Sequence, residues 1–177
     1  MRLQECRTMK GKLIVVLAAL ATAMAAVTAI AAISRLTLTK PAPEVRISAL
    51  SGETFSTSEL RGKVVLVNFW ATYCADCIRE MPKLVETHKK FAARGYETVA
   101  IAVRRDDPDR VAQFAAKRAL PFKVALDSSG EIGKEFGNVR ITPMSFLIDK
   151  QGRVLRRYVG EPDWAEFHRL VEKALAS

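Results

Sequence analysis

The spacing of apolar and polar residues changes several times along the chain, and each change predicts an element. Leu13 to Ile33, LIVVLAALATAMAAVTAIAAI, is 21 residues without a charge, proline or glycine. That is enough to cross a bilayer, for which about 20 apolar residues suffice. KVVLVNFW (Lys63 to Trp70) and YETVAIAV (Tyr96 to Val103) are β-branched and almost wholly apolar, as buried central strands are. Between them Ile78, Met81, Leu84, Val85 and Phe91 recur at helical spacing, predicting a helix from Cys74 to about Ala93. A second helix is predicted over Asp109 to Arg118, with Asp109 as its N-cap. FKVAL and a short helix near Glu131 to Phe136 follow, then SFLID and VLRRYV as a hairpin around KQG, then an amphipathic helix from Trp164 to Leu175. Upstream, VRISAL and the turn at Ser51-Gly52 predict an opening hairpin, and Ser56 and Glu59 stand at capping-box spacing for a short helical turn. Strand, helix, strand, helix, hairpin and helix describe a single α/β domain with a mixed sheet.

Four segments result: a basic head at 1–12, a membrane anchor at 13–33, a semi-stiff linker at 34–43 and a folded domain at 44–177. Arg2, Arg7, Lys10 and Lys12 precede the apolar run against a lone Glu5. The positive-inside rule then keeps the head in the cytoplasm and sends the domain outward. A cleaved signal peptide, with Ala29 and Ala31 serving a peptidase, is the alternative, but secretory apolar regions are usually shorter, about 7 to 15 residues. Cys6 lies before the apolar run, where a lipoprotein cysteine would follow it, and reads as a cytoplasmic free thiol.

The formal charge of +9 does not indicate nucleic acid. Residues 1–40 carry +5 of it, and residues 41–177 hold 22 Lys and Arg against 18 Asp and Glu, without a basic stripe or interleaved aromatics.

Chemistry concentrates in NFWATYCADCIREMP, Asn68 to Pro82. Cys74 and Cys77 are the only cysteines beyond the apolar run. A closed zinc site needs four ligands and the pair supplies two, with His88 and His168 poorly placed to complete the set, so no metal is expected. A structural bridge across so small a loop would constrain little unfolded-chain entropy. A redox centre fits better. A C-x-x-C at the start of a helix after a buried strand sets the first sulfur beside unpaired N–H groups and the positive end of the helix dipole, which favour thiolate. Cys74 would attack a substrate disulfide, and Cys77, one turn on, would resolve the mixed disulfide.

LRGKVVLVNFWATYCADCIREMP resembles the signature of the TlpA/ResA-like membrane-anchored thiol-disulfide oxidoreductases of the thioredoxin superfamily, and ITPMSFLIDKQGRVLRRYVG is similar to their second signature. The likeness covers most of Glu44 to Ser177. It implies a thioredoxin-like fold, a central mixed sheet flanked by helices, behind one N-terminal transmembrane helix. It also implies a protein-disulfide reductase with no cofactor beyond the redox-active Cys74–Cys77 disulfide, lying on the periplasmic or extracytoplasmic side of the cytoplasmic membrane. Its partners would be disulfide-bearing proteins and a transmembrane thiol electron donor. Substrates of relatives include apocytochrome c haem-binding thiols and copper-centre assembly proteins.

By the same resemblance Pro143 matches the family's cis-proline facing the redox pair, and the backbone of Thr142 would pair with an extended substrate segment. The residues alone leave open an ordinary proline at the start of a strand. Trp70 is expected to pack beside the pair and Pro82 to kink the helix. Tyr73 stands where the family often has Trp, and Asp76 where it commonly has Pro, which puts a carboxylate between the thiols. Asn68 occupies the place of the buried acid of cytoplasmic thioredoxins. Glu80 matches a family glutamate near the active site, with surface pairing to Lys83 or in the neighbourhood of Lys90 as the alternative. The residues leave two other functions to consider. A peroxiredoxin-type peroxidase wants P-x-x-x-T-x-x-C, and Asn68 and Thr72 depart from it. A copper-binding assembly factor would want a histidine opposite the thiols, and none stands near Pro143.

Overall fold

The computed structural model describes residues 40–177 and, before them, Met24 alone. The basic head, the anchor, Cys6 and most of the linker therefore lie outside the described residues. Among the described residues no helix is long and apolar enough to cross a membrane.

A five-stranded sheet organises the domain. Its centre is β3 (Val64–Trp70), with all seven residues buried. Parallel to it runs β4 (Tyr96–Ala102), joined by helix α1 (Ala75–Phe91), and β5 (Lys123–Leu126) pairs parallel with β4 after helix α2 (Pro108–Lys117). On the other side β6 (Met144–Ile148) is antiparallel to β3, and β7 (Val154–Val159) is antiparallel to β6. Helix α3 (Glu131–Glu135) precedes β6, and helix α4 (Trp164–Ala176) ends the chain. The opening hairpin, β1 (Arg46–Ser48) with β2 (Thr54–Ser56), forms a separate two-stranded sheet. The mixed α/β architecture expected from the sequence is present.

Alternation along β3 explains its complete burial, because successive side chains enter opposite layers. Val64, Leu66 and Trp70 join Met81, Leu84 and Phe91 of α1 and Phe167 and Val171 of α4. Val65, Val67 and Phe69 join Ile47, Phe55, Ile132 and Phe136 on the far side. Phe69, Phe136 and Phe146 pack there as a ring cluster, with centroids 5.1 to 6.1 Å apart. Asn68 is the one polar member of the strand, and by alternation it belongs to the layer of α1.

Two predicted helix starts move. Asp107, not Asp109, caps α2, its carboxylate accepting the Arg110 N–H at 3.0 Å. Pro108 then occupies the first helical position, where its missing N–H costs nothing and its fixed φ is already helical. Asp109 falls inside the first turn, beside the positive end of the dipole. The capping box at Ser56 and Glu59 does not form. Thr57 precedes the short 3-10 turn Ser58–Leu60 and makes no side-chain cap bond. Its hydroxyl instead donates to the Pro43 carbonyl at 2.7 Å, while Ser56 Oγ reaches Ser58 Oγ at 2.7 Å and Glu59 Oε1 at 3.3 Å.

Candidate active site

Helix α1 begins where β3 ends, at the carboxyl edge of the parallel strands, where α/β sheets bind ligands. Cys74 is its N-cap, with extended backbone (φ −91°, ψ 107°), and its sulfur accepts the Cys77 N–H at 3.2 Å. The sulfur thus takes the place of the Ser or Asp oxygen that usually satisfies an orphan donor at a helix start. The same donor stabilises a thiolate once the pair is reduced. Cys74 and Cys77 are joined as a disulfide, their Cα atoms 5.3 Å apart. Their exposures differ: Cys77 is fully buried in the layer of Trp70 and Met81, whereas Cys74 is partly open.

Across from Cys74 lies the segment before β6. The Thr142–Pro143 peptide is cis, and the Thr142 carbonyl oxygen is 3.5 Å from Cys74 Sγ. Pro143 is buried and its carbonyl accepts the Gly160 N–H at 2.9 Å, tying this segment to the end of β7. Among the described residues no other backbone group bonds to Thr142, so its edge beside the sulfur is open. Tyr73 is 60% exposed on the rim. Trp70 is fully buried, in the core layer that also takes in Cys77, its ring 5.0 Å from that of Phe114.

Glu80 is not a surface residue, and Lys83 pairs with Glu86 at 3.1 Å instead. The Glu80 side chain is buried, and its Oε1 accepts from Asn68 Nδ2 at 2.8 Å; the same amide donates to Ser145 Oγ at 2.9 Å. Burial pushes the Glu80 carboxyl up to about 7, opposed by the Asn68 hydrogen bond and reinforced by the charges of Glu161 and Asp76. Its Oε2 has no hydrogen-bond partner among the described residues, which adds to the cost of the ionised form. Glu80 sits one helical turn beyond Cys77, on the face that carries the sulfur inward.

Asp76 is open to solvent and paired, its Oδ1 2.6 Å from Arg79 Nη2. Arg79 also approaches Glu161 at 4.0 Å. A free carboxylate here would disfavour thiolate and lower the reduction potential by about 10 to 20 mV, but the adjacent guanidinium opposes its field. Asp76→Asn, which leaves the guanidinium unopposed, is accordingly expected to raise the potential and Arg79→Gln, which frees the carboxylate, to lower it, each by about 10 to 20 mV. Equilibration of each variant against glutathione buffers measures both. A potential left unchanged by Arg79→Gln would show that the guanidinium does not oppose the carboxylate at the sulfurs.

Asp106 was not singled out from the sequence. Its buried carboxylate accepts from the Thr72 backbone N–H at 2.6 Å and from the Thr72 hydroxyl at 2.6 Å. It thereby pins the turn that presents Tyr73 and Cys74. Its place just past the end of the parallel neighbour β4 was the available signal. Among the described residues no group of three or more His, Cys, Asp or Glu side chains is arranged to hold a metal ion.

The sequence profile of the Redoxin family matches residues 37–173. The chain belongs to the Redoxin family. It is 34% identical over 139 residues to the thiol-disulfide oxidoreductase ResA of Bacillus thuringiensis subsp. konkukian, covering 78% of this chain and 79% of that one. The ResA of Geobacillus thermodenitrificans is 34% identical over 119 residues, 67% of each chain. Among solved structures, a thiol:disulfide interchange protein of the thioredoxin family from Chlorobium tepidum superposes with a TM-score of 0.70 at 33% identity, covering 77% of this chain and 97% of that one. This Redoxin-family chain is therefore a ResA-like thiol-disulfide oxidoreductase with a thioredoxin-like fold, and the Cys74–Cys77 pair stands at disulfide distance in it.

Proposed function

We propose that the protein reduces disulfides of other proteins outside the cytoplasmic membrane, held there by an uncleaved anchor at residues 13–33. The observation that carries the roles of the two sulfurs is their unequal placement: Cys74 partly open beside the unpaired backbone of Thr142, Cys77 buried behind it. In the reduced protein the Cys74 thiolate attacks one sulfur of the substrate disulfide, forms a mixed disulfide and expels the other as thiolate. Cys77, deprotonated, then attacks Cys74 Sγ, forming the Cys74–Cys77 bond and releasing the second substrate thiolate. Two electrons pass to the substrate, and a transmembrane thiol donor restores the dithiol. Thr142 and Pro143 position the substrate; Trp70, Tyr73, Asp76 and Glu80 tune the pair. No bound cofactor is needed, because the Cys74/Cys77 dithiol itself carries the two electrons.

The reducing direction is supported by the buried Glu80 one turn from Cys77, since a carboxylate near the sulfurs disfavours thiolate and so favours the disulfide. Haem-binding thiols of apocytochrome c and copper-centre assembly proteins are the substrate classes the ResA likeness supports.

Topology is tested in intact cells with a membrane-impermeant alkylating reagent. The protein is expected in the membrane fraction, with Cys74 labelled from outside and Cys6 labelled only after permeabilisation. A soluble form starting near Ala32 would show that the apolar run is a cleaved signal, and Cys74 protected until lysis would put the domain inside.

A further inference from the structure

Beside the redox pair a groove of about 740 Å³ runs from Tyr73 and Thr142 across to Arg104, Arg105, Lys134 and Arg140. These four cations come from three places in the chain: the segment after β4, helix α3 and the segment before Pro143. All four side chains are exposed.

The groove also contains two acids, and both are already engaged. Asp127 is buried, and its carboxylate accepts backbone N–H groups of Gly130, Ile132 and Gly133 at 2.8 to 3.2 Å. Glu131 pairs with Lys134 at 3.3 Å. Among the described residues no carboxylate lies within 4.0 Å of the guanidinium of Arg104, Arg105 or Arg140. Three uncompensated charges thus face a concave surface that ends at Tyr73 and Thr142, whose carbonyl oxygen is 3.5 Å from Cys74 Sγ. Concave walls of low dielectric focus such a field and raise the local concentration of opposite charge.

We infer that this groove selects substrates, and that its occupant is an extended protein segment carrying Asp and Glu residues beside the cysteine that exchanges with Cys74. The open backbone edge of Thr142 holds the segment at the sulfur, Tyr73 gives it an apolar contact, and the three arginines receive its carboxylates. Arginine suits the task because its fork binds carboxylates through two parallel hydrogen bonds. This inference rests on the exchange mechanism above and names the substrates of the same site.

The test uses the full-length protein in detergent and three synthetic peptides with one intramolecular disulfide and acidic, neutral or basic flanks. At low ionic strength the dithiol protein is expected to reduce the acidic peptide about 10-fold faster than the neutral one, and the basic peptide more slowly than either. In about 0.5 M salt the three rates should converge. Arg104→Glu/Arg105→Glu/Arg140→Glu should reverse the order, and the corresponding triple Gln variant should bring the rates close together. The ratio between peptides is read within each protein, so a partly unfolded variant does not distort it. The salt series on the unaltered protein needs no variant at all. Equal rates at low salt, faster reduction of the basic peptide, or an acidic preference that survives the triple Glu change would overturn the inference. Should no peptide be reduced while the peptide dithiols are oxidised, the reducing direction proposed above fails, and the charge preference is read from the oxidation rates instead.

Discussion

Cys74→Ser abolishes thiol-disulfide exchange, and Cys77→Ser leaves the first half of it intact, so that mixed disulfides accumulate. The two outcomes differ because the sulfurs are placed differently. Only the Cys74 sulfur is both partly open and supplied with a stabilising donor, the Cys77 N–H at 3.2 Å. A serine hydroxyl at that position stays protonated at neutral pH and cannot attack a disulfide, so the rate should fall to the uncatalysed level. Cys77 is fully buried and cannot meet a protein substrate directly. It meets Cys74, one helical turn away, and without it the mixed disulfide waits for an external thiol. Non-reducing electrophoresis after incubation with a disulfide substrate separates the two variants: no adduct for Cys74→Ser, and a stable one for Cys77→Ser. Faster alkylation of Cys77 than of Cys74 in the reduced protein would reverse the roles.

Much of this site is legible in the sequence, and what is not follows from how chains fold back. β3 and β4 read clearly because strands buried on both faces are continuous apolar runs. The redox pair reads clearly because its spacing and its position after such a strand are both local. Asp107 could not be told from Asp109 in RRDDPD, since each aspartate is a competent cap and the choice turns on Pro108 at the first helical position. The sequence leaves Glu80 between two roles because glutamate is seldom fully buried without a partner, and its partner, Asn68, arrives from β3, held in turn by Ser145 of β6. Asp106 holds Thr72 across a gap of 34 residues, a contact fixed by the parallel pairing of β3 and β4. The arginine groove was invisible for the same reason. Arg104, Arg105 and Arg140 look scattered along the chain, and only the packing of three segments around the end of the sheet brings them to one surface.

Glu80→Gln should remove a large pH-dependent contribution to stability and ease the ionisation of the cysteines. The unperturbed carboxyl titrates near 4.5 and the folded one at about 7, raised first by burial. A raised acid means that the folded state binds the proton more tightly than the unfolded chain. Its contribution is therefore most favourable below about pH 4.5 and is lost as the pH rises toward 7. At 1.36 kcal/mol per pH unit that loss is on the order of 3 kcal/mol. The oxidised protein isolates the effect, because disulfide sulfurs do not titrate. Denaturant unfolding at pH 5 and pH 8 should then show the unaltered protein losing about 2.5 kcal/mol relative to Glu80→Gln across that range, the rest having gone below pH 5. The variant also keeps a neutral group of the same shape, and Asn68 Oδ1, without a partner among the described residues, can accept from the new amide. In the reduced protein the lost charge should move the alkylation midpoint of Cys74 to lower pH, since an ionised carboxylate one turn from Cys77 opposes thiolate formation. A stability gap that stays constant between pH 5 and pH 8 would mean that Glu80 is ionised throughout, and that the Asn68 hydrogen bond offsets its burial.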